Sequence, residues 1–163
     1  MRNSLGKLFT ITKTINKKHI DACLVIAKEL RQYFTEQAIV TMSQDLPRHL
    51  LYIAMNSGEV VGFTVIHGKN NQVAEILWIA VKPEHQQQGI GSALVERIAN
   101  DLRSQGIKVL EVKTLSADVN YPPYEKTRRF YEKTGFIHLE TIDPYPGWER
   151  GSPCAIYVKV LWR

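Results

Sequence analysis

A glutamine and two glycines, Gln86-x-x-Gly89-x-Gly91, stand between a strand-like run and a helix-like run. That arrangement suits a phosphate. The first turn of a helix has N–H groups with no intrahelical acceptor, and the macrodipole adds roughly half a positive charge there. Gly89 and Gly91 lack Cβ, so the loop can take positive φ and phosphate oxygens can approach the backbone closely. Two other phosphate loops are excluded. A dinucleotide fingerprint needs a third Gly where Leu94 stands, and no Gly-Lys-Ser/Thr occurs in the chain. Glu75 is a second candidate, the one ionisable residue in the apolar run 73–81. A partly buried carboxylate there would suit a base working through water near neutral pH. The competing readings are a plain Gly turn before a surface helix and a Glu facing solvent at a strand end.

These residues need elements to hold them. Residues 73–81 are apolar and rich in β-branched side chains, which is how a strand buried on both faces reads, and Lys82-Pro83 stops it. Residues 92–102 place Leu94, Val95, Ile98, Ala99 and Leu102 at helical spacing. Upstream, 8–15 alternates as a first strand. Asn16 then caps a helix over 17–34 with apolar residues at spacings of three and four, and a second helix over 35–46 ends at Pro47. Residues 50–55 and 60–67 read as a hairpin about Asn56-Ser57-Gly58-Glu59. Downstream, Gly106 closes the central helix, and 108–115 forms a strand reached by a right-handed crossover, which predicts 109–112 parallel to 77–81. A short helix over 124–134, a strand over 136–141, a Pro/Gly-rich loop over 143–153 and a last strand over 154–162 complete the order β, α, α, β, β, β, α, β, α, β, β.

Length and composition bound the rest. A chain of 163 residues supports one domain, 1–163, with a real core. No apolar run is long enough to span a membrane, and 1–10 lacks the apolar core of a secretory signal, so a cytoplasmic setting is expected. Cys23 and Cys154 make neither a disulfide framework nor a zinc pattern and are expected as reduced, buried thiols. The net charge of +5 is scattered, with small clusters only at Lys17-Lys18 and at Lys126 with Arg128-Arg129. No nucleic-acid motif accompanies it, and an anionic cofactor is a sufficient partner. His67, His85 and His138 read as surface or strand-end residues, although His85 lies where it could meet a phosphate.

The Gln-x-x-Gly-x-Gly loop after a strand and opening a helix resembles the acyl-CoA loop of the GNAT superfamily of N-acetyltransferases. Arg128-Arg129-Phe130-Tyr131-Glu132-Lys133-Thr134-Gly135-Phe136 is similar to that family's C-terminal motif, and the element order matches over essentially the whole chain. Residues 109 onward resemble uncharacterised bacterial members. The resemblance implies an α/β (α+β) fold: a mixed, mostly antiparallel sheet with a parallel, splayed pair of strands four and five, flanked by helices. It implies acetyl-CoA as co-substrate, held by the backbone of Ile79, Ala80 and Val81 and by Gln86, Gln87, Gln88, Gly89, Ile90, Gly91 and Ser92. It places Tyr131 where a phenol commonly lies near the thioester sulfur, the alternative being a packed, half-buried Tyr. Ala74-Glu75-Ile76 before an apolar run is similar to the fourth strand of histone-type members, which makes Glu75 the candidate base; many members rely on an ordered water instead. No Ser-His-Asp or Cys-His order is apparent, so direct attack in a ternary complex fits better than a covalent acyl-enzyme. The acceptor would be a small-molecule or peptide amine bounded by 32–45, 70–72, 116–123 and 143–153, which contribute Tyr33, Phe34, Glu36, Asp118, Tyr121, Tyr145, Trp148 and Glu149. Neither nucleic acid, a membrane nor a metal is expected, and a homodimer is open. The alternative is a catalytically silent acyl-CoA-binding module on the same fold.

Overall fold

The computed structural model describes residues 8–162. The strands are β1 (Thr10–Lys13), β2 (Leu50–Asn56), β3 (Glu59–Gly68), β4 (Val73–Val81), β5 (Val109–Leu115), β6 (Ile137–Ile142) and β7 (Cys154–Val160). The helices are α1 (Lys17–Glu29), α2 (Glu36–Asp45), α3 (Ile90–Ser104) and α4 (Pro122–Lys133), in the chain order read from the sequence. The sheet order is β1-β2-β3-β4-β5-β7-β6. The β4–β5 pair is parallel, whereas β1–β2, β2–β3, β5–β7 and β6–β7 are antiparallel. Residues 1–7 of the stretch read for a secretory signal lie outside the described residues.

The chain divides into two compact units. The first runs to His67 and resumes over Leu77–Asp101. Its core joins Cys23, Ile26, Ala27 and Leu30 of the first helical segment to Met42, Leu46, Leu51, Ile53, Phe63 and Val65, all nearly inaccessible. The cap on α1 is the one expected. Asn16 Oδ1 accepts from Lys18 N–H at 2.8 Å and Thr35 Oγ1 from Ala38 N–H at 3.1 Å, each satisfying an otherwise orphaned amide. α1 stops at Glu29, short of the expected Phe34. Leu30 leaves helical geometry, and the N–H groups of Tyr33 and Phe34 turn back onto its carbonyl at 2.9 and 3.0 Å. Phe34 keeps its apolar spacing because it packs on Trp78, not because it continues the helix. The β2–β3 turn takes φ +50° at Ser57 and +80° at Gly58, the positive pair that a tight hairpin requires. Tyr52 Oη donates to Asp101 at 2.8 Å, and Arg97 bonds both Asp101 and the Ile11 carbonyl, which fixes α3 to β1 and β2.

The second unit holds Gly68–Ile76 and the chain from Leu102 onward. Here the expected register is corrected. Val109–Val112 pair with Val73–Ile76, not with Leu77–Val81. A helical crossover brings the chain back to the edge from which the first strand started, so strand beginnings lie side by side. The N–H groups of Lys108 and Val109 accordingly bond the Gln72 carbonyl, at 2.8 and 3.1 Å. β5 continues to Leu115 in its ladder with β7, and β7 carries β6 with an irregularity between His138 and Glu140. Leu110, Val112, Tyr131, Phe136 and Tyr157 are buried in this unit. Both cysteines are buried and free. Burial pushes the Cys23 thiol up to about 12 and the Cys154 thiol up to about 11, so neither is a nucleophile at neutral pH.

Candidate active site

In the first unit, β4 ends where Lys82 N–H bonds the Val61 carbonyl at 2.8 Å. Pro83 then opens a short 3-10 turn, Pro83–His85. The Gln86 side chain donates to the Val81 carbonyl at 3.0 Å, so it ties the loop back to the strand. Gln87 sits at φ +62° and Gly89 at φ +81°. Residues in left-handed geometry alternating with ordinary ones turn successive N–H groups inward to form an anion-binding concavity. A Cβ on Gly89 would meet nothing within 4 Å, so that glycine is required by its backbone angle and not by crowding within the protein. α3 begins at Ile90, two residues before the expected start, and its first intrahelical bond runs from Ala93 N–H to the Gly89 carbonyl at 3.0 Å. Ile90, Gly91 and Ser92 therefore precede that bond, and their amides form the positive end of the helix. The first turn contains no acidic side chain to compensate them. Gly91 lies inside α3 and outside the positive-φ set, which corrects the expectation that both glycines serve the loop's angles.

Gly62 escaped the sequence reading. A Cβ there would meet the Ala80 carbonyl oxygen at 3.2 Å, Ile90 Cγ2 at 3.3 Å and Val81 Cγ2 at 3.4 Å. Its absence lets the end of β4 and the start of α3 close onto β3. The available signal was a glycine inside a β-branched strand. Gly62→Val is predicted to destabilise the fold by about 1–3 kcal/mol through overpacking, measured by denaturant unfolding; an unchanged midpoint would show that the contact yields freely.

In the second unit, the parallel ladder ends at Ile76 and Val112, the point at which the division between the units also cuts β4. Glu75 lies within that ladder beside Glu111 and is 7 % exposed, so it does not face solvent at a strand end. Lys113 Nζ donates to Glu75 Oε1 at 2.8 Å and lies 3.6 Å from Glu111, while Lys69 pairs with Glu111 at 3.0 Å. The ring of Tyr145 stands under Lys113, 5.3 Å from its nitrogen. Burial pulls the Lys113 ammonium down, but hydrogen bonds to Glu75 and Tyr145 and the charges of Glu75 and Glu111 outweigh it and hold the group well above the usual lysine range. Lys113 is thus cationic throughout the physiological range. Sequence patterning missed it because Glu75 and Lys113 meet only across the register of two strands.

Tyr131 projects from α4, which Pro122 opens and Gly135, at φ +94°, follows. Arg128 Nη1 donates to the Leu115 carbonyl at 2.8 Å and anchors the helix to the end of β5. Tyr131 is 4 % exposed and packs on Phe130, Phe136 and Tyr157, with centroids at 5.4, 5.4 and 6.3 Å. Burial, with a smaller contribution from Tyr124, pushes its phenol above the ordinary tyrosine value, so it stays protonated and can donate. Thr114 Oγ1, on β5, is buried without a partner among the described residues, as is His85 Nδ1 in the loop. Among the expected acceptor-side residues, Tyr33 adjoins Phe34, Tyr145 stands edge-to-face with Trp148, and Asp118 accepts from Ser116 Oγ at 3.0 Å. Asp45, the last residue of the expected 32–45 stretch, accepts from Trp78 Nε1 at 2.7 Å and lies 3.8 Å from His49 Nε2; Trp78, which packs on Phe34, and His49 were not anticipated on this side. Among the described residues no three His, Cys, Asp or Glu side chains could hold a metal, and no helix is long and apolar enough to cross a membrane.

No curated protein matches the chain. Solved structures do. A GNAT-family protein from Desulfovibrio desulfuricans superposes with a TM-score of 0.84 at 19 % identity, over 95 % of this chain and 100 % of that one. The ribosomal-protein-S18-alanine N-acetyltransferase from Escherichia coli gives 0.74 at 20 %, over 96 % of each. A GNAT-family acetyltransferase from Elizabethkingia anophelis, solved with acetyl-CoA bound, gives 0.67 at 22 %, over 93 % and 97 %. At these identities the likeness establishes the fold. Residues 19–136, most of the chain, match the family model described as Acetyltransferase (GNAT) family, and the chain accordingly belongs to the GNAT family of acetyltransferases.

Proposed function

We propose that the chain transfers the acetyl group of acetyl-CoA to a primary amine by direct attack within a ternary complex. The observation that carries this reading is the loop before α3, where Gln87 and Gly89 take positive φ and the amides of Ile90, Gly91 and Ser92 precede the first intrahelical bond. Those amides would hold the pyrophosphate of the co-substrate, with Gln88 and the loop backbone around them and the backbone of Ile79, Ala80 and Val81 along the pantetheine arm. Gln86, whose side chain is engaged by the Val81 carbonyl, would shape the loop. The neutral amine attacks the thioester carbon, and the tetrahedral adduct collapses with loss of the CoA thiolate. The ammonium proton passes to Glu75 or to water. Tyr131 would donate a hydrogen bond to the departing sulfur.

The proposal predicts that CoA or acetyl-CoA at a hundredfold excess over its Kd raises Tm by on the order of 5–10 °C, from about 2.7 kcal/mol of mass-action stabilisation. NADH and ATP at the same concentration should shift it much less, and a larger shift with either would mean that the phosphate loop has been misread.

One observation favours the second reading, a silent acyl-CoA-binding module. Glu75 is already engaged by Lys113, and accepting a proton would give up a charge-assisted hydrogen bond. Release of free thiol from acetyl-CoA across a panel of amines separates the two, because a module that only binds would release none above the solvent rate.

A further inference from the structure

Two buried polar atoms of the first unit, Asn56 Nδ2 and His85 Nδ1, have no hydrogen-bond partner among the described residues. Their chemistry is complementary. Asn56 ends β2 at the hairpin turn. Ser57 Oγ donates to Asn56 Oδ1 at 3.0 Å, which engages the acceptor half of the amide and leaves the NH2, a donor, as the orphan. His85 ends the 3-10 turn, directly before the phosphate loop. In the neutral ring with its hydrogen on Nε2, Nδ1 is an acceptor. The two side chains line one cavity of about 470 Å³, together with Leu8, Ser57 and Glu59.

A buried donor or acceptor left unmade is costly, and one bond between these two would satisfy both. The backbone at each end is already fixed. Ser57 and Gly58 take the hairpin's positive φ, Lys82 N–H bonds the Val61 carbonyl at 2.8 Å, and His85 N–H bonds the Lys82 carbonyl at 2.9 Å. The imidazole is what remains to move, and the cavity gives it room. Gln86 and Gln88 donate to the Val81 and Glu84 carbonyls, bonds that stay within 81–88, so a link from His85 to Asn56 would add a tie from the loop to the hairpin. Gln87, two residues beyond His85, holds φ +62°, a strained angle that the surroundings must maintain. An anion on the loop amides selects the loop position in which they converge, and the tie would hold that position. We infer that His85 and Asn56 are positioning residues for the co-substrate: when the loop takes up the pyrophosphate, Asn56 Nδ2 donates to His85 Nδ1 and fastens the loop to the β2–β3 turn. The inference rests on the proposed acyl-CoA loop and adds a pair that acts through it without touching the ligand.

The rate of CoA release, read by stopped flow, tests the pair. His85→Phe keeps a ring and removes Nδ1, and Asn56→Leu keeps the size and removes the amide. Each should quicken release about five- to tenfold, the range one neutral hydrogen bond supplies, and the double variant should be no faster than either single one. His85→Asn, whose side-chain oxygen can accept in place of Nδ1, should restore slow release. Unchanged release in folded Asn56→Leu overturns the inference. So do additive effects in the double variant, which would make His85 a direct contact of the ligand. Nuclear magnetic resonance of the wild-type protein keeps the test decisive if a variant does not fold. A scalar coupling across the hydrogen bond, between the Asn56 Nδ2 and His85 Nδ1 nitrogens, should appear on adding CoA, and its absence in the CoA complex overturns the pair. Failure of the acyl-CoA reading looks different, because CoA then gives no binding heat in calorimetry. Inorganic pyrophosphate becomes the probe in that case, and no coupling in its presence overturns the pair as well.

Discussion

Gly91→Val is expected to lower acetyl-CoA affinity about ten- to hundredfold while leaving the protein as stable as the wild type. The two outcomes part because Gly91 lies within α3 and outside the positive-φ set. Valine is a slightly better helix residue than glycine, so the fold loses nothing from propensity. Its branched side chain, however, would crowd a phosphate approaching the amides of Ile90, Gly91 and Ser92. Losing one charge-assisted hydrogen bond of about 1.5–3 kcal/mol corresponds to that range of affinity. Gly91→Ala is the control, since a single methyl should be tolerated far better. Gly89→Val should behave differently. Its φ of +81° strains any β-branched residue by about 1–2 kcal/mol, so affinity and stability should fall together. Calorimetry and thermal unfolding on the three variants check this. Unchanged affinity in folded Gly91→Val would remove the pyrophosphate from this helix end.

The loop could be read from sequence because its devices are punctuation: Pro83 stops a strand, and glycines precede a helical stripe. The same reading could not see Gln87 at φ +62°, since glutamine has no preference for that region and only the surrounding turn imposes it. It placed Glu75 in an apolar strand correctly but not Lys113 beside it, because the pair forms across the sheet at a separation of 38 residues and depends on register. Register itself went wrong by half a strand, since periodicity reports which face a residue takes and not which residue it meets. The end of α1 failed for a related reason: Phe34 fits the helical stripe, yet its partner is Trp78. Asp45 fell inside the 32–45 stretch without being singled out, because a carboxylate near a helix end reads as surface until its indole partner, 33 residues away, is known.

Tyr131→Phe is expected to leave acetyl-CoA affinity intact and to lower kcat about ten- to thousandfold, the contribution of one directed donor at a developing charge. Phenylalanine keeps the ring that packs on Phe130, Phe136 and Tyr157 and removes only the hydroxyl. Burial holds the phenol above its ordinary value near 10, whereas a thiol titrates near 8.5, so complete proton transfer to the thiolate is uphill. Tyr131 should therefore act as a hydrogen-bond donor, and the wild-type to variant ratio of kcat should stay flat from about pH 6 to 9, because a phenol raised above 10 remains protonated throughout that window. Glu75→Gln should act on the other proton. If Glu75 is the base, kcat falls most on the plateau above the acidic limb, where the carboxylate is ionised, and the limb itself flattens, since that limb reports the base in the ternary complex. The amide oxygen can still accept from Lys113 but no longer neutralises it, so thermal stability is measured alongside kcat to separate loss of the charge pair from loss of the base. A Tyr131→Phe variant with full turnover would make that ring a packing residue only. An unmoved acidic limb in Glu75→Gln would leave deprotonation to water and give Glu75 a different task, neutralising the permanently charged Lys113 inside the sheet.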